Sequence, residues 1–498
     1  MKITQKKGGV ILSYAQMVSN VLVKFIYTPF LLRALGQNEY GLFSLVMSLV
    51  GYLAILDFGF GSAVTRYTVK YNTEGDREKL FQLYATVSVI YILIGVLALT
   101  VCCLLGYFTP QLFSSTMTTE EVSKIRIMMF LCGINLLFTF PLQISASVLV
   151  AHERFIFKNG VNLIRTYLQP AILILLLYLV HIKSVGVIVV VTLFNLLTYL
   201  SFYIYSVKKL DFKLALKNFE PKMIRGLLTF SVWMFLVSVF EHLQYNSGQF
   251  IIGLFQGSDV VAVWGIAMIF ILNYRSLSTA ITNVFLPSYI SNTFKQDNET
   301  IRKTTYKVTR LQAYVLFLIM ANFILFGQYF IDMWAGEGYH DAFLVALIIM
   351  VPMTIALLLD FSYLIQIATN RLKFRIVTLF AGFVLSFWVV YLWKGITLVT
   401  YSYVIAGSIL IGQILCVMYY IGRRIDVSLM KVIKGLLPIA FITSVLTVAS
   451  AIVVKLVPDT VTAFCVEIVL FNILLGLSWW FISFSKDEKE IIFKAIRK

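Results

Sequence analysis

Charge is what this chain has least of. Of its 498 residues, 13% are Asp, Glu, Lys or Arg, against roughly 25% in soluble domains. With 60% hydrophobic residues and a mean hydropathy of +0.88, this excludes a soluble globule and indicates an integral membrane protein. Histidine is scarce as well, at four residues. The five cysteines (Cys102, Cys103, Cys132, Cys416 and Cys465) all sit in apolar runs. They have no metal-ligand spacing and no accompanying histidines, so they are expected to pack as small hydrophobes, and no metal or cofactor is expected. There is no Asp-x-Asp pair and no loop long enough to form a domain. Both absences weigh against a membrane polysaccharide polymerase or glycosyltransferase. No cleavable signal peptide is expected, because the first apolar run, from Gly8, is long enough to span and lacks a small-residue cleavage site.

What the chain does have is apolar runs of membrane length. At about 20 residues per crossing, fourteen spans are expected, from Gly9–Leu32 to Val461–Phe484. The formal charge of +17 raises the question of nucleic acid, and its placement answers it. If the N-terminus is cytoplasmic, 32 of the 41 Lys and Arg fall on inner segments and six on outer ones. That asymmetry predicts both termini in the cytoplasm and assigns the positive charge to the inner membrane face, leaving nucleic acid a poor second. The basic stretch 207–226 is expected to lie as an amphipathic linker on anionic membrane lipid. It separates residues 1–206, an N-terminal lobe of six spans, from 227–421, a second lobe of six, with 422–498 adding two helices and a tail.

One stretch stands out within this plan. Leu35-Gly36-Gln37-Asn38-Glu39-Tyr40-Gly41 forms a Gly turn into an apolar run, which closes in Asp57-Phe58-Gly59-Phe60-Gly61 and Arg66. A plain membrane anchor needs no Asp, glycines and Arg at its end, so this helix end is expected to line something polar. The turn echoes about 220 residues later: Phe30 to Gly36 followed by Tyr40-Gly41 has a partner in Phe250 to Gly257 followed by Trp264-Gly265. Two like-oriented halves, each opening with such a hairpin, are a transporter layout with a site near the midplane.

Polar residues inside spans are the strongest functional pointers, because a charge at a helix centre costs about 2.5–3.5 kcal/mol or more. In the first span Gln16, Asn20, Lys24 and Thr28 recur every four residues and share a face. Ser238, Glu241, Tyr245 and Gln249 share one in the seventh span, beside His242, Gln244 and Asn246. In the eighth, Arg275, Thr279, Thr282 and Asn283 do so. Lys24 and Arg275 are read as lining a cavity. Glu241 has two readings, pairing with Lys24 or Arg275, or proton handling. Glu241, His242, Asp57 and Arg66 are candidates for coupling or gating, with plainer alternatives: His242 as a satisfied interior histidine, and Asp57 bonding locally to Thr65 or Arg66 to hold the helix end. Asp360 is expected to act like Asp57, and Arg165 to snorkel to the inner face.

Pro29, Arg33, Leu35, Gly36, Tyr40, Gly41, Asp57, Gly59 and Arg66, with Phe285-Leu286-Pro287 closing the eighth span, resemble bacterial polysaccharide flippases. These belong to the multidrug/oligosaccharidyl-lipid/polysaccharide exporter superfamily. The resemblance implies an all-α polytopic fold of about fourteen helices, two six-helix lobes around a central cavity, and two added C-terminal helices. It implies that the substrate is an undecaprenyl-diphosphate-linked oligosaccharide moved from the inner to the outer leaflet of a bacterial cytoplasmic membrane. Polymerase and other glycan-assembly proteins are then expected partners. An anionic diphosphate needs cationic donors while it crosses the membrane core. Lys24 and Arg275 are the expected donors, with Asn20, Gln244, Asn246 and Asn283 bonding sugar. A multidrug–cation antiporter of the same fold is the alternative; it would want an acidic cavity, which Lys24 and Arg275 oppose and Glu241 and Asp57 favour.

Overall fold

The computed structural model describes residues 5–489 except 211, 213–217, 295–297, 369–372, 393–396, 425–427, 455, 457–459 and 486–487. Among the described residues there is no strand. The first helices are α1 (Gln5–Leu35), α2 (Gln37–Ala54), α3 (Phe60–Glu74), α4 (Arg77–Phe113), α5 (Thr119–Ala151), α6 (Phe155–Leu179), α7 (Ser184–Lys209) and α8 (Pro221–Gln256). They continue as α9 (Ser258–Phe294), α10 (Asn298–Trp334), α11 (Asp341–Leu358), α12 (Phe361–Ala368), α13 (Lys373–Leu392), α14 (Leu398–Arg424), α15 (Leu429–Val454) and α16 (Val461–Ser478). The expected spans are all present, with the second and tenth interrupted: α2 breaks before α3 and α11 before α12. Joining those two pairs leaves fourteen helical passages. Eleven are long and apolar enough to cross a membrane by composition among the described residues.

The chain forms two compact units, Met1–Gly265 and Ile266–Lys498, divided within α9. In the first, α4 packs on α5, α5 on α7 and α1 on α6. The repeat is visible in the backbone. Gly36, before α2, has φ 79° and ψ 168°, and Gly257, before α9, has φ 87° and ψ 179°. Both are conformations that L side chains rarely adopt, which is why each turn needs glycine. The turns set the register of the repeat at 221 residues, so Gly41 and Gly265 are not equivalent positions. Each packs closely against the other hairpin. A Cβ on Gly41 would lie 1.9 Å from the Ser258 carbonyl oxygen, and one on Gly265 2.7 Å from Ser44 Oγ. Gly41 thus packs on the backbone of the second turn, and Gly265 on a side chain of the first hairpin.

Part of the basic linker, 211 and 213–217, lies outside the described residues. Its described ends are anchored: Phe212 is fully buried against Tyr84, and the Glu220 N–H donates to Thr86 Oγ1 at 3.0 Å.

The second unit is held by α11 on α14, α10 on α15 and α13 on α14. Lipid removes the hydrophobic drive between helices, so polar bonds help to fix them. Tyr274 OH meets Thr354 Oγ1 at 2.6 Å, and Gln312 Nε2 donates to Ser278 Oγ at 2.9 Å. The tenth span breaks at Leu359 and Asp360. As expected, Asp360 acts at a helix end, but its partner lies across the unit: Arg375, 3.7 Å away and seated 3.9 Å over the Tyr363 ring.

Arg310 on α10 fastens the last two helices. Its Nη1 donates to the Gly435 carbonyl on α15 at 2.7 Å. Its Nη2 donates to the Ser483 carbonyl at 2.8 Å, and Nε and Nη2 grip both oxygens of Glu488 beyond α16. Burial alone would push the Glu488 carboxyl up, but Arg310 and the Ser485 N–H outweigh it and hold it below its ordinary 4.5. A carboxyl held low in the folded state adds stability above its unfolded value, and that stability is lost as pH falls through the folded value. Arg310→Ala strands Glu488 and should cost about 3 kcal/mol of stability, read as a lower thermal midpoint of the purified protein. Glu488→Gln should cost less and should flatten the wild-type decline below about pH 4.5. An Arg310→Ala protein as stable as wild type would mean that other contacts hold these helices.

Candidate functional site

The polar stripe of α1 has a definite environment. Gln16 is half-buried, and Asn20 and Lys24 are exposed. Leu22, Ile26 and Phe30 are exposed on the other side of the helix. One exposed face is therefore suited to lipid and the other is not. A mid-helix ammonium on the second face requires water or a polar ligand. The stripe is steadied from α6: Thr166 Oγ1 donates to Asn20 Oδ1 at 3.0 Å, and Ser19 Oγ meets Tyr167 OH at 2.6 Å. Among the described residues Lys24 makes no ion pair or side-chain hydrogen bond, so it is not paired with Glu241.

The seventh-span residues divide. On α8, His242 packs against α2: a Cβ on Gly51 would lie 2.7 Å from its Nε2, and Tyr52 meets it edge-on at 5.3 Å. His242 is half-buried there. Asn246 turns back on its own helix, donating to the His242 carbonyl at 3.3 Å. Gln244 is buried and Glu241 half-buried. In the second unit, Arg275 is half-buried on α9. Thr279 and Thr282 below it donate to carbonyls of their own helix. The Asn283 side chain lies outside the described residues.

Asp57 ends the first half of the broken second span. Phe58 and Gly59 follow with φ 51° and 71°, turning the chain so that α3 can start. The Asp57 carboxylate then faces that helix start and accepts from the backbone N–H groups of Gly59 and Gly61. It also accepts from Tyr91 OH and, at 3.1 Å, from Gln143 Nε2. Local bonding is therefore found, though not to the expected donors. Thr65 Oγ1 donates instead to the Gly61 and Ser147 carbonyls, and Arg66 is exposed further along α3.

A second polar region, not foreseen, lies inside the first unit. A cavity of about 400 Å³ is lined by Asp57, Thr65 and Ser147, and by Lys158, Asn162 and Arg165 of α6. Arg165 does not snorkel. Its Nε donates to Gln169 Oε1 at 3.0 Å and its Nη1 to Asn195 Oδ1 at 2.9 Å. Asn195 in turn donates to Asn135 Oδ1 and Thr139 Oγ1. This chain ties α6 to α7 and α5, which makes a partnered interior position cheaper than reaching for the surface. The available signal was the spacing of Lys158, Asn162, Arg165 and Gln169, which repeats every three or four residues.

At the opposite end of this unit two acids join the hairpins to their neighbours. Glu39 at the start of α2 accepts from the Ser184 backbone N–H at 3.0 Å and from Lys124 Nζ at 2.5 Å. Glu121 of α5 accepts from Asn38 and, at 2.7 Å, from Ser258 Oγ. Asn38 Nδ2 donates to Ser258 Oγ at 2.9 Å. One carboxylate thus bridges the two glycine turns.

Comparison with known proteins places this architecture. The family model described as "Polysaccharide biosynthesis protein" matches residues 6–294. The chain belongs to this family. It is 21% identical to "Uncharacterized membrane protein EpsK" of Bacillus subtilis (strain 168), over 96% of this chain and 95% of that protein. It is 22% identical to "Putative O-antigen transporter" of Shigella flexneri, over 62% of this chain and 72% of that one. Among solved structures, "Lipid II flippase MurJ, inward closed conformation" aligns with a TM-score of 0.73 at 13% identity, covering 98% of this chain and 100% of that one. Family and fold together identify a multi-pass membrane protein of the polysaccharide biosynthesis family with the fold of that solved flippase.

The surroundings of Asp57 set a test of its role. Asp57→Ala removes an acceptor from four donors and should destabilise the protein by about 0.5–2 kcal/mol, as the loss of a helix cap does. Asp57→Asn keeps one carbonyl acceptor and should retain much of that stability and of glycan export. Normal stability with abolished export in Asp57→Asn would instead assign the carboxylate to coupling.

Proposed function

We propose that this protein is a flippase, and not an enzyme. Its substrate would be an undecaprenyl-diphosphate-linked oligosaccharide, carried from the inner to the outer leaflet of a bacterial cytoplasmic membrane by alternating access. Family membership supports the class. The observation that carries the proposal is Lys24, an exposed cation without an ion pair among the described residues, on the polar face of an otherwise apolar helix. A diphosphate headgroup is the complementary charge.

In this reading residues 1–206 and 227–421 are the lobes that rock about the site, joined by 207–226, and 422–498 supplies the two added helices. Lys24 and Arg275, one from each lobe, bind the diphosphate. Asn20, Gln244, Asn246 and Asn283 bond the sugar, and Glu241 tunes coupling. A polymerase acting on the exported unit is the natural partner.

A charge-assisted contact contributes about 1.5–3 kcal/mol. Lys24→Ala and Arg275→Ala should each therefore reduce export roughly ten- to a hundredfold at limiting substrate, while the protein stays inserted and abundant. Arg275→Lys should recover only part, since a point charge does not reproduce bidentate contact with phosphate. The measurement is surface glycan normalised to membrane protein level. Wild-type export from the double mutant would end the proposal. A changed drug-resistance profile with unchanged glycan would favour the cation antiporter instead.

The placement of Lys and Arg supports both termini lying in the cytoplasm. Reporter fusions after Thr116 and Gly336 should read outside, and fusions after Lys217 and Lys498 inside. An outside signal at Lys217 would overturn this orientation.

A further inference from the structure

The cavity inside the first unit has a charge pattern that its own walls do not balance. Lys158, Asn162 and Arg165 line it at positions i, i+4 and i+7 of α6, so all three share one helix face. Arg165 uses Nε and Nη1 on Gln169 and Asn195, which leaves Nη2 without a partner among the described residues. The Lys158 ammonium makes no hydrogen bond or ion pair there at all. Asp57 is the one acid in the lining, and its carboxylate is already engaged by Tyr91, Gln143 and the two glycine N–H groups. The accessible chemistry is therefore two cations and a neutral amide, in a half-buried setting where charge is poorly screened.

From this we infer that the cavity is a binding site for an oxyanion of the phosphate class. Lys158 and the outer nitrogen of Arg165 would supply the charged contacts and Asn162 a neutral donor. The arrangement suits a tetrahedral oxyanion, whose several oxygens take a planar guanidinium donor and a point charge together. A cavity of about 400 Å³ is far larger than a halide needs. The same chemistry occurs in free phosphate and in the phosphodiester headgroup of an anionic lipid. The site uses none of the residues assigned to the carried substrate, so it stands or falls apart from the transport reading.

The probe is the reactivity of Lys158 toward an amine-modifying reagent, read by peptide mass spectrometry on the full-length protein. The purified, lipid-stripped chain is labelled in inorganic phosphate and in chloride of equal ionic strength. It is also labelled in phosphatidylcholine nanodiscs with and without phosphatidylglycerol. Phosphate should slow labelling of Lys158 relative to chloride, and Arg165→Gln should weaken that protection about tenfold. Protection in the phosphatidylglycerol discs alone would identify the lipid headgroup as the ligand. Protection by inorganic phosphate would identify a soluble anion. Equal labelling of Lys158 in all four conditions would overturn the inference, as would equal protection by chloride. The wild-type comparison stands even if Arg165→Gln lowers the thermal midpoint.

Discussion

A polar group in a hydrocarbon core must find its partner inside the protein, because no water is there to supply one. The features that matter in this chain follow from that constraint. Where the second span breaks, the Asp57 carboxylate faces the N–H groups at the start of α3. Tyr91 and Gln143 then bind the same carboxylate from neighbouring helices, so the break also joins α3, α4 and α5. Arg165 obeys the same rule through Gln169 and Asn195. At the far end of the second unit, Arg310 serves two helices and a carboxylate with three nitrogens. In each case one charged side chain stands where several backbone or amide groups would otherwise go unmet.

The hairpin contact shows the complementary device, the removal of side chains. Gly41 brings α2 so close to the Ser258 carbonyl that a methyl group there would collide, and one at Gly265 would press on the Ser44 hydroxyl. Backbone contact of this kind has few intermediate geometries. Glu121 adds a polar tie, bridging Asn38 and Ser258 across the contact.

Much of the fold was legible in the sequence because membrane helices advertise themselves by length and apolarity. The glycine turns were legible for a different reason, since Gly36 and Gly257 adopt backbone angles that few other residues tolerate. Asp57 was placed correctly at a helix end, yet its donors were misassigned. Two of them, Tyr91 and Gln143, are 34 and 86 positions away along the chain. Arg165 was misread for the same reason. Depth along a helix can be counted from sequence, whereas the Asn195 that rewards an inward rotamer is 30 residues distant. The local rule of snorkelling was sound; a long-range partner outweighed it.

Lys24 and Lys158 show how a cation in a membrane can carry two meanings. Both lie on helices that are mostly apolar, and neither has an ion pair among the described residues. Lys24 is exposed on a face that opposes a lipid-suited one, and in the proposed function its charge meets a substrate that passes. Lys158 lines a partly open polar cavity shared with Arg165, where the inferred oxyanion would stay. Desolvation makes an unanswered cation expensive in both places. A ligand that moves answers the first intermittently, so its cost recurs in each cycle and can be coupled to a change of state. The inferred anion would answer the second continuously and add to the stability of the unit itself. Depth in the membrane therefore does not distinguish a transport residue from a structural one. The distinction lies in whether the space in front of the charge is a passage or a pocket.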